Sequence, residues 1–157
     1  MHKLFGSQVL SSSMLAKLKL QLADLGVKLG EARNSFIYLV DGHLDKGELT
    51  RLEGLLEAVS CSHGSLLPST YFVFPRWGTI SPWSSKATDI AHNCGLNNVR
   101  RLERARFYNF SFLEEPEPGV VEALLHDRMV EVIQNNEPDW HGLFSQSSPR
   151  SISHVPI

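Results

Sequence analysis

What this sequence has little of narrows its chemistry first. It holds two cysteines, Cys61 and Cys94, so at most one bridge can form and no disulfide framework exists. Free thiols in a reducing compartment, and hence a cytoplasmic protein, are the expectation. Cys61 and His63 make a C-x-H pair, but no second cysteine pair or H-x-x-x-H partner completes a ligand set, and no metal is expected. No excess of one charge is present either: 15 Lys and Arg against 17 Asp and Glu leave a formal net charge of -2. That balance offers no broad attraction to phosphate backbones or anionic lipid, so neither a nucleic-acid nor a membrane partner is expected. Apolar runs approaching ~18 residues are missing, and the start MHKLFGSQVLSSSMLAKL has no uninterrupted apolar stretch before a small-residue cleavage site, so the chain reads as soluble and unexported. The nucleotide pattern G-x-x-x-x-G-K-[ST] is absent as well, because Ser85 stands where the glycine before Lys86 would have to be.

What is there is a mixed α and β pattern at single-domain length, 157 residues. From Ser13 to Gly26, Leu15, Leu18, Leu22 and Leu25 recur at helical spacing, with serines ahead to cap and Gly26 to stop. SFIYLV at 35–40 is apolar on both faces and predicts a covered, central strand. The segment 44–59 predicts a helix capped by Asp45 with Glu48 three residues on, a Leu44–Leu49 staple, and a buried stripe of Leu49, Leu52, Leu56 and Val59. TYFVF predicts a strand ending at Pro75, and 103–112 a strand with Tyr108, Phe110 and Phe112 on one face. After EEPEPG, Val121, Leu124, Leu125, Val132 and Ile133 suggest one last amphipathic helix. From about Asn135 periodicity fades, and the Ser/Pro-rich end reads as a tail or linker. No repeat is evident, although two helix-then-strand halves are loosely alike.

The least ordinary stretch is GTISPWSSKATDIAHNCGL at 78–96. Ser81 before Pro82 fits an N-cap with proline at the first helical position, while Ser84 or Ser85 offers a later start. Trp83, Ala87, Ile90, Ala91 and Cys94 then share a helical face, and Gly95 ends the helix. The hydroxyls outnumber what one cap needs. Either they and Lys86 merely begin the helix, or its start holds an anion such as a phosphate or carboxylate.

Other chemistries fare worse. His92 and Cys94 lie two apart on a helix and diverge, so they share no hydrogen bond. Glu114 and Glu115 sit beside Pro116 in a loop, and His126, Asp127 and Arg128 fan around a helix rather than converge. No catalytic residue is assigned. An RNA-binding sheet lacks its glycine and aromatic pattern in the 103–112 strand.

Three runs in order, PRWGTISPWSSKATDIAHNCGL, RRLERARFYNF and ALLHDRMVEV, closely resemble the amino-terminal region of the large, single-chain phosphoribosylformylglycinamidine synthases of purine biosynthesis. The resemblance spans roughly Leu4 to Ile133, with two departures: Trp77 where a second proline is expected, and Ala105 where glycine is expected. It implies an α+β fold, a two-layer sandwich of a mainly antiparallel sheet with helices on one side, built as two fused half-units of the small PurS-like subunit. That domain would occupy residues 1–138, and 139–157 would begin a tail or linker to a synthetase domain. It also implies a bridging role in a glutamine-hydrolysing carbon–nitrogen ligase whose synthetase and glutaminase domains are the partners. ATP and magnesium belong to those domains and no cofactor to this chain, which is expected to be a non-catalytic fragment. Arg76, Thr79, Ser81, Trp83, Ser84, Ser85 and Lys86 are then the candidates for a substrate or domain interface. The alternative is a stand-alone α+β module that binds a protein or small ligand.

Overall fold

The computed structural model describes residues 2–59, 67–76 and 79–145. Five strands and five helices follow the order β1 (His2–Phe5), α1 (Ser12–Asp24), β2 (Leu29–Gly42), α2 (Lys46–Leu56), β3 (Ser69–Pro75), α3 (Pro82–Asn93), β4 (Val99–Phe112), α4 (Val120–Leu125), β5 (Glu131–Gln134) and α5 (Trp140–Ser145). The strands form one antiparallel sheet in the order β1-β2-β4-β3-β5. This is the α+β class with the antiparallel sheet that the sequence implied.

The two halves repeat. Each runs strand, helix, long strand, helix, and β2 and β4, of 14 residues each, pair so that Phe36 meets Arg106, the residue at the same place in its own strand. A pseudo-twofold axis therefore passes between β2 and β4. The helix ends repeat too. Ser11 and Ser81 cap α1 and α3, each accepting a bond from the backbone three residues on, and Gly26 and Gly95 follow the helix ends at φ 81° and 87°, where a Cβ would be strained.

Alternation along the strands divides the core by face. On one face α2 and α3 enclose Leu4, Tyr38, Val40, Leu52, Ala91 and Leu102, and α1 and α4 enclose Leu18, Leu22, Tyr71, Val73, Tyr108 and Phe110. On the other face Ile37, Leu39, Phe72, Phe74, Ala105 and Phe107 pack with Trp140 of α5. Ala105 pairs with Ile37 in regular strand and is 1% exposed, so the methyl group that replaces an expected hydrogen simply fills core. Trp77 lies outside the described residues.

Several local expectations hold. Asp45 and Glu48 form the reciprocal capping box of α2, at 2.7 and 3.1 Å, and Leu44 and Leu49 pack into the same cluster. Others need correction. Leu25 and Val59 lie beyond the ends of α1 and α2 and are exposed; Val59 instead bridges β1 through Phe5. Ile90 and Cys94 are exposed as well, and α3 turns Ser84 and Ala91 inward. The single last helix is two elements: α4 stops at Leu125, Asp127 turns the chain by accepting bonds from Met129, Val130 and Glu131, and Glu131–Gln134 becomes β5. The β3 edge supplies the pairing that Val132 and Ile133 satisfy better as strand than as helix. Packing also continues past residue 138. Trp140 is 4% exposed and edges onto Phe74 at 5.6 Å, while its indole N–H donates to Glu137 at 2.8 Å. Burial alone would raise the Glu137 carboxyl, but bonds from Lys3 and Trp140 outweigh it and hold the group below the usual carboxylate range. Residues 146–157 lie outside the described residues.

Candidate functional site

The crowded hydroxyls at the start of α3 divide by where they point. Ser81 caps the helix, accepting from the Ser84 amide at 3.0 Å, and donates its own hydroxyl to Glu103 at 2.7 Å. Ser84 is fully buried and donates to the Leu102 carbonyl, while Thr88 accepts from the Leu102 amide at 3.0 Å. Leu102 lies past the last β3 pairing, Val73 with Arg106, so this edge of β4 has no strand beside it. Two helix hydroxyls do the work of the missing strand, which is why one cap's worth would not suffice.

The helix start does hold an anion, and it is the chain's own. Glu103 is 0% exposed and accepts from Ser81, from the Arg104 amide at 3.0 Å, and from Arg101 at 2.9 Å. Arg101 also reaches the Thr79 carbonyl at 3.0 Å and the Ser84 hydroxyl at 3.3 Å, with Phe144 of α5 under its guanidinium at 5.2 Å. A carboxylate at the positive end of α3, itself paired, leaves that end no capacity for a second anion.

The remaining candidates sit around this latch. Thr79 is exposed and folds its hydroxyl back to the Arg76 carbonyl at 2.6 Å. Arg76 is exposed and reaches the Arg128 carbonyl at 2.7 Å. Trp83 is half-buried and stacks on Tyr38 at 5.6 Å, and Ser85 and Lys86 face solvent. Ser81 and Ser84 are thus used within the domain, and Arg76, Thr79, Trp83, Ser85 and Lys86 retain surface.

The other residue pairs weighed from the sequence have partners of their own or face solvent. The His92 ring contacts the Val99 carbonyl at 2.5 Å rather than Cys94, which is exposed. His126 meets the Glu122 carbonyl at 2.6 Å, and Glu114 and Glu115 are exposed. Among the described residues no group of three or more His, Cys, Asp or Glu side chains gathers as a metal site. Cys61 and His63 lie outside them. Among the described residues, also, no helix is long and apolar enough to cross a membrane.

What sequence reasoning missed is the charge inside β4. Arg104 and Arg106 project from the face that otherwise carries Leu102, Tyr108 and Phe110, and they floor a cleft of about 270 Å³ walled by Pro82, Trp83, Val73 and Glu131. Arg106 pairs with Glu131 at 2.6 Å and reaches the Leu125 carbonyl at 3.1 Å. Arg104 lies over Phe36 at 4.7 Å and over Trp83 at 4.9 Å. Burial pulls its guanidinium below the ordinary arginine value and Arg106 adds like charge, against the opposing pull of Tyr38 and Glu103. The available signal was two arginines at strand spacing on an inward-facing stripe.

A family model described as the formylglycinamide ribonucleotide amidotransferase N-terminal domain matches residues 34–144. The match runs from within β2 through most of α5, including the α3 start, the Arg101–Glu103 latch and the cleft. Sequence, fold and family thus meet on the same residues, and the chain belongs to the family of formylglycinamide ribonucleotide amidotransferase N-terminal domains, in the setting of purine biosynthesis.

Proposed function

We propose that this chain is the non-catalytic bridging domain of a glutamine-hydrolysing ligase that makes formylglycinamidine ribonucleotide. The ATP- and magnesium-dependent step and the release of ammonia belong to synthetase and glutaminase domains against which it docks in the cytoplasm. A bridging domain helps such an enzyme by closing an interface that keeps water from ammonia while two active sites communicate. The observation that carries the reading is an apolar surface beside the α3 start. Ile80, Met129 and Val130 are 54%, 79% and 58% exposed and line a groove of about 430 Å³ with Pro75 and Thr79. Contiguous exposed apolar side chains of this kind mark contact surfaces. Arg76 lines the same groove, Trp83 lines the cleft that shares its walls, and Ser85 and Lys86 follow, both exposed, in the first turns of α3.

The test is reconstitution. The 157-residue chain alone should form no amidine from glutamine, ATP and formylglycinamide ribonucleotide, and adding it to separately purified synthetase and glutaminase portions should raise their glutamine-dependent rate. Amidine formation by the chain alone, or a rate indifferent to its addition, overturns the proposal.

A further inference from the structure

The two helix pairs leave a seam along the pseudo-twofold axis, and the seam is not apolar. Arg104 and Arg106 stand there where leucines would serve packing better. Arg106 is accounted for by Glu131. Arg104 is not: among the described residues its guanidinium has neither a hydrogen-bond acceptor nor a carboxylate within ion-pair distance. The Phe36 and Trp83 rings lie 4.7 and 4.9 Å from its guanidinium carbon, and its N–H groups remain for a planar, bidentate acceptor. Half-burying a cation with no ionic partner carries a cost that the two rings offset in part and that an arriving anion would offset further.

The cleft has a direction. Its wall residues Pro75, Ser81, Pro82 and Glu131 also line the groove that carries Ile80, Met129 and Val130, so the charged cleft opens onto the apolar one. Arg76 stands on the rim of that groove. The only acid facing the cleft from β5, Glu131, is already paired, and Glu103 is consumed by Ser81, Arg101 and the Arg104 amide.

We propose that Arg104 is the receptor for one carboxylate side chain of a docking polypeptide whose flanking apolar residues lie along Ile80, Met129 and Val130. Charge complementarity selects the acid, and the adjoining groove selects a peptide segment over a free ion. The proposal rests on the bridging reading above and names the chemistry of its contact.

The test uses the whole chain. A capped pentapeptide with one glutamate between two leucines, its glutamine twin, and inorganic phosphate are titrated while the Arg104 side-chain Nε–H resonance is followed, assigned by its loss in Arg104→Gln. The glutamate peptide should shift it saturably, the glutamine twin should bind about tenfold more weakly for want of a charge-assisted pair, and Met129→Ser should weaken the peptide without moving the resonance of the free protein. No shift with the glutamate peptide, equal binding of its twin, or saturation by phosphate alone each overturns the proposal. Arg104→Gln also removes a stacked side chain, so Arg104→Lys, which keeps charge but not the fork, is run beside it and should bind weakly while melting like the parent. In the reconstituted ligase, Arg104→Gln should lower the stimulated rate. Equal stimulation by parent and variant sinks the Arg104 contact and leaves the bridging role standing, whereas no stimulation by the parent sinks the bridging role and leaves the peptide titration to decide the site.

Discussion

Glu103→Gln should destabilise the domain far more than its isosteric shape suggests. The carboxylate oxygens of Glu103 accept from the Ser81 hydroxyl, the Arg104 amide and Arg101, and the group has no exposure to water. A glutamine amide keeps one acceptor and turns an NH₂ toward groups that are themselves donors. Arg101, whose side chain is 10% exposed, meanwhile loses its counter-charge while one of its terminal nitrogens, Nη1, already has no partner. Breaking a buried pair in this way costs about 3 kcal/mol or more. At about 2–4 °C per kcal/mol for a domain of this size, the melting temperature should fall by about 6–12 °C. Far-UV circular dichroism melts and urea titrations of parent and variant measure it. The double replacement Arg101→Met with Glu103→Leu, which removes both charges, should recover most of the loss. A deficit under about 1 kcal/mol, the range of an exposed ion pair, would refute the view that Glu103 latches α3 to β4.

Three further outcomes follow from the same structure. Ser84→Ala removes the hydroxyl that serves the Leu102 carbonyl and should cost about 1–3 kcal/mol in urea unfolding, while Ser85→Ala, on the exposed side, should stay within about 0.5 kcal/mol of the parent. Trp140→Ala opens the cluster around Phe72 and Phe74 and should cost about 3–5 kcal/mol, so a chain ending at residue 138 should melt earlier than the full one in calorimetry. Burial, with a smaller push from Glu122, raises the Tyr71 hydroxyl to about 12. An unfolded tyrosine ionises near 10, so the folded state keeps the proton longer, and its stability should be level below pH ~10 and decline as pH rises toward 12. Tyr71→Phe should lessen that alkaline decline, the part that remains coming from Tyr38 and Tyr108, which burial also raises, read from melts across the range.

The local signals in this chain are strong where one residue type has one use. Asp45 with Glu48, Ser81 with Pro82, and glycines at 26 and 95 mark helix boundaries because capping and left-handed backbone depend on neighbours in sequence alone. The two-sided apolar run in β2 likewise announces a central strand before any partner is known. The Glu131–Gln134 strand was hidden because its apolar spacing suits a helix equally, and only the open β3 edge decides between them.

The hydroxyl-rich run shows where the division falls. Composition and order determined that this chain is an α+β domain of a recognisable family and that residues 79–86 carry more hydroxyls than one helix cap needs. Only the fold decided what each hydroxyl is for, because a buried serine and an exposed one look alike until the β4 edge beside them is found to lack a strand. Glu103 and Arg104 are neighbours in sequence on opposite faces of one strand, the first with its charge fully answered and the second with its charge left open. Pairing of that kind is settled by which helices and strands close over each face, and those contacts join residues far apart in the chain.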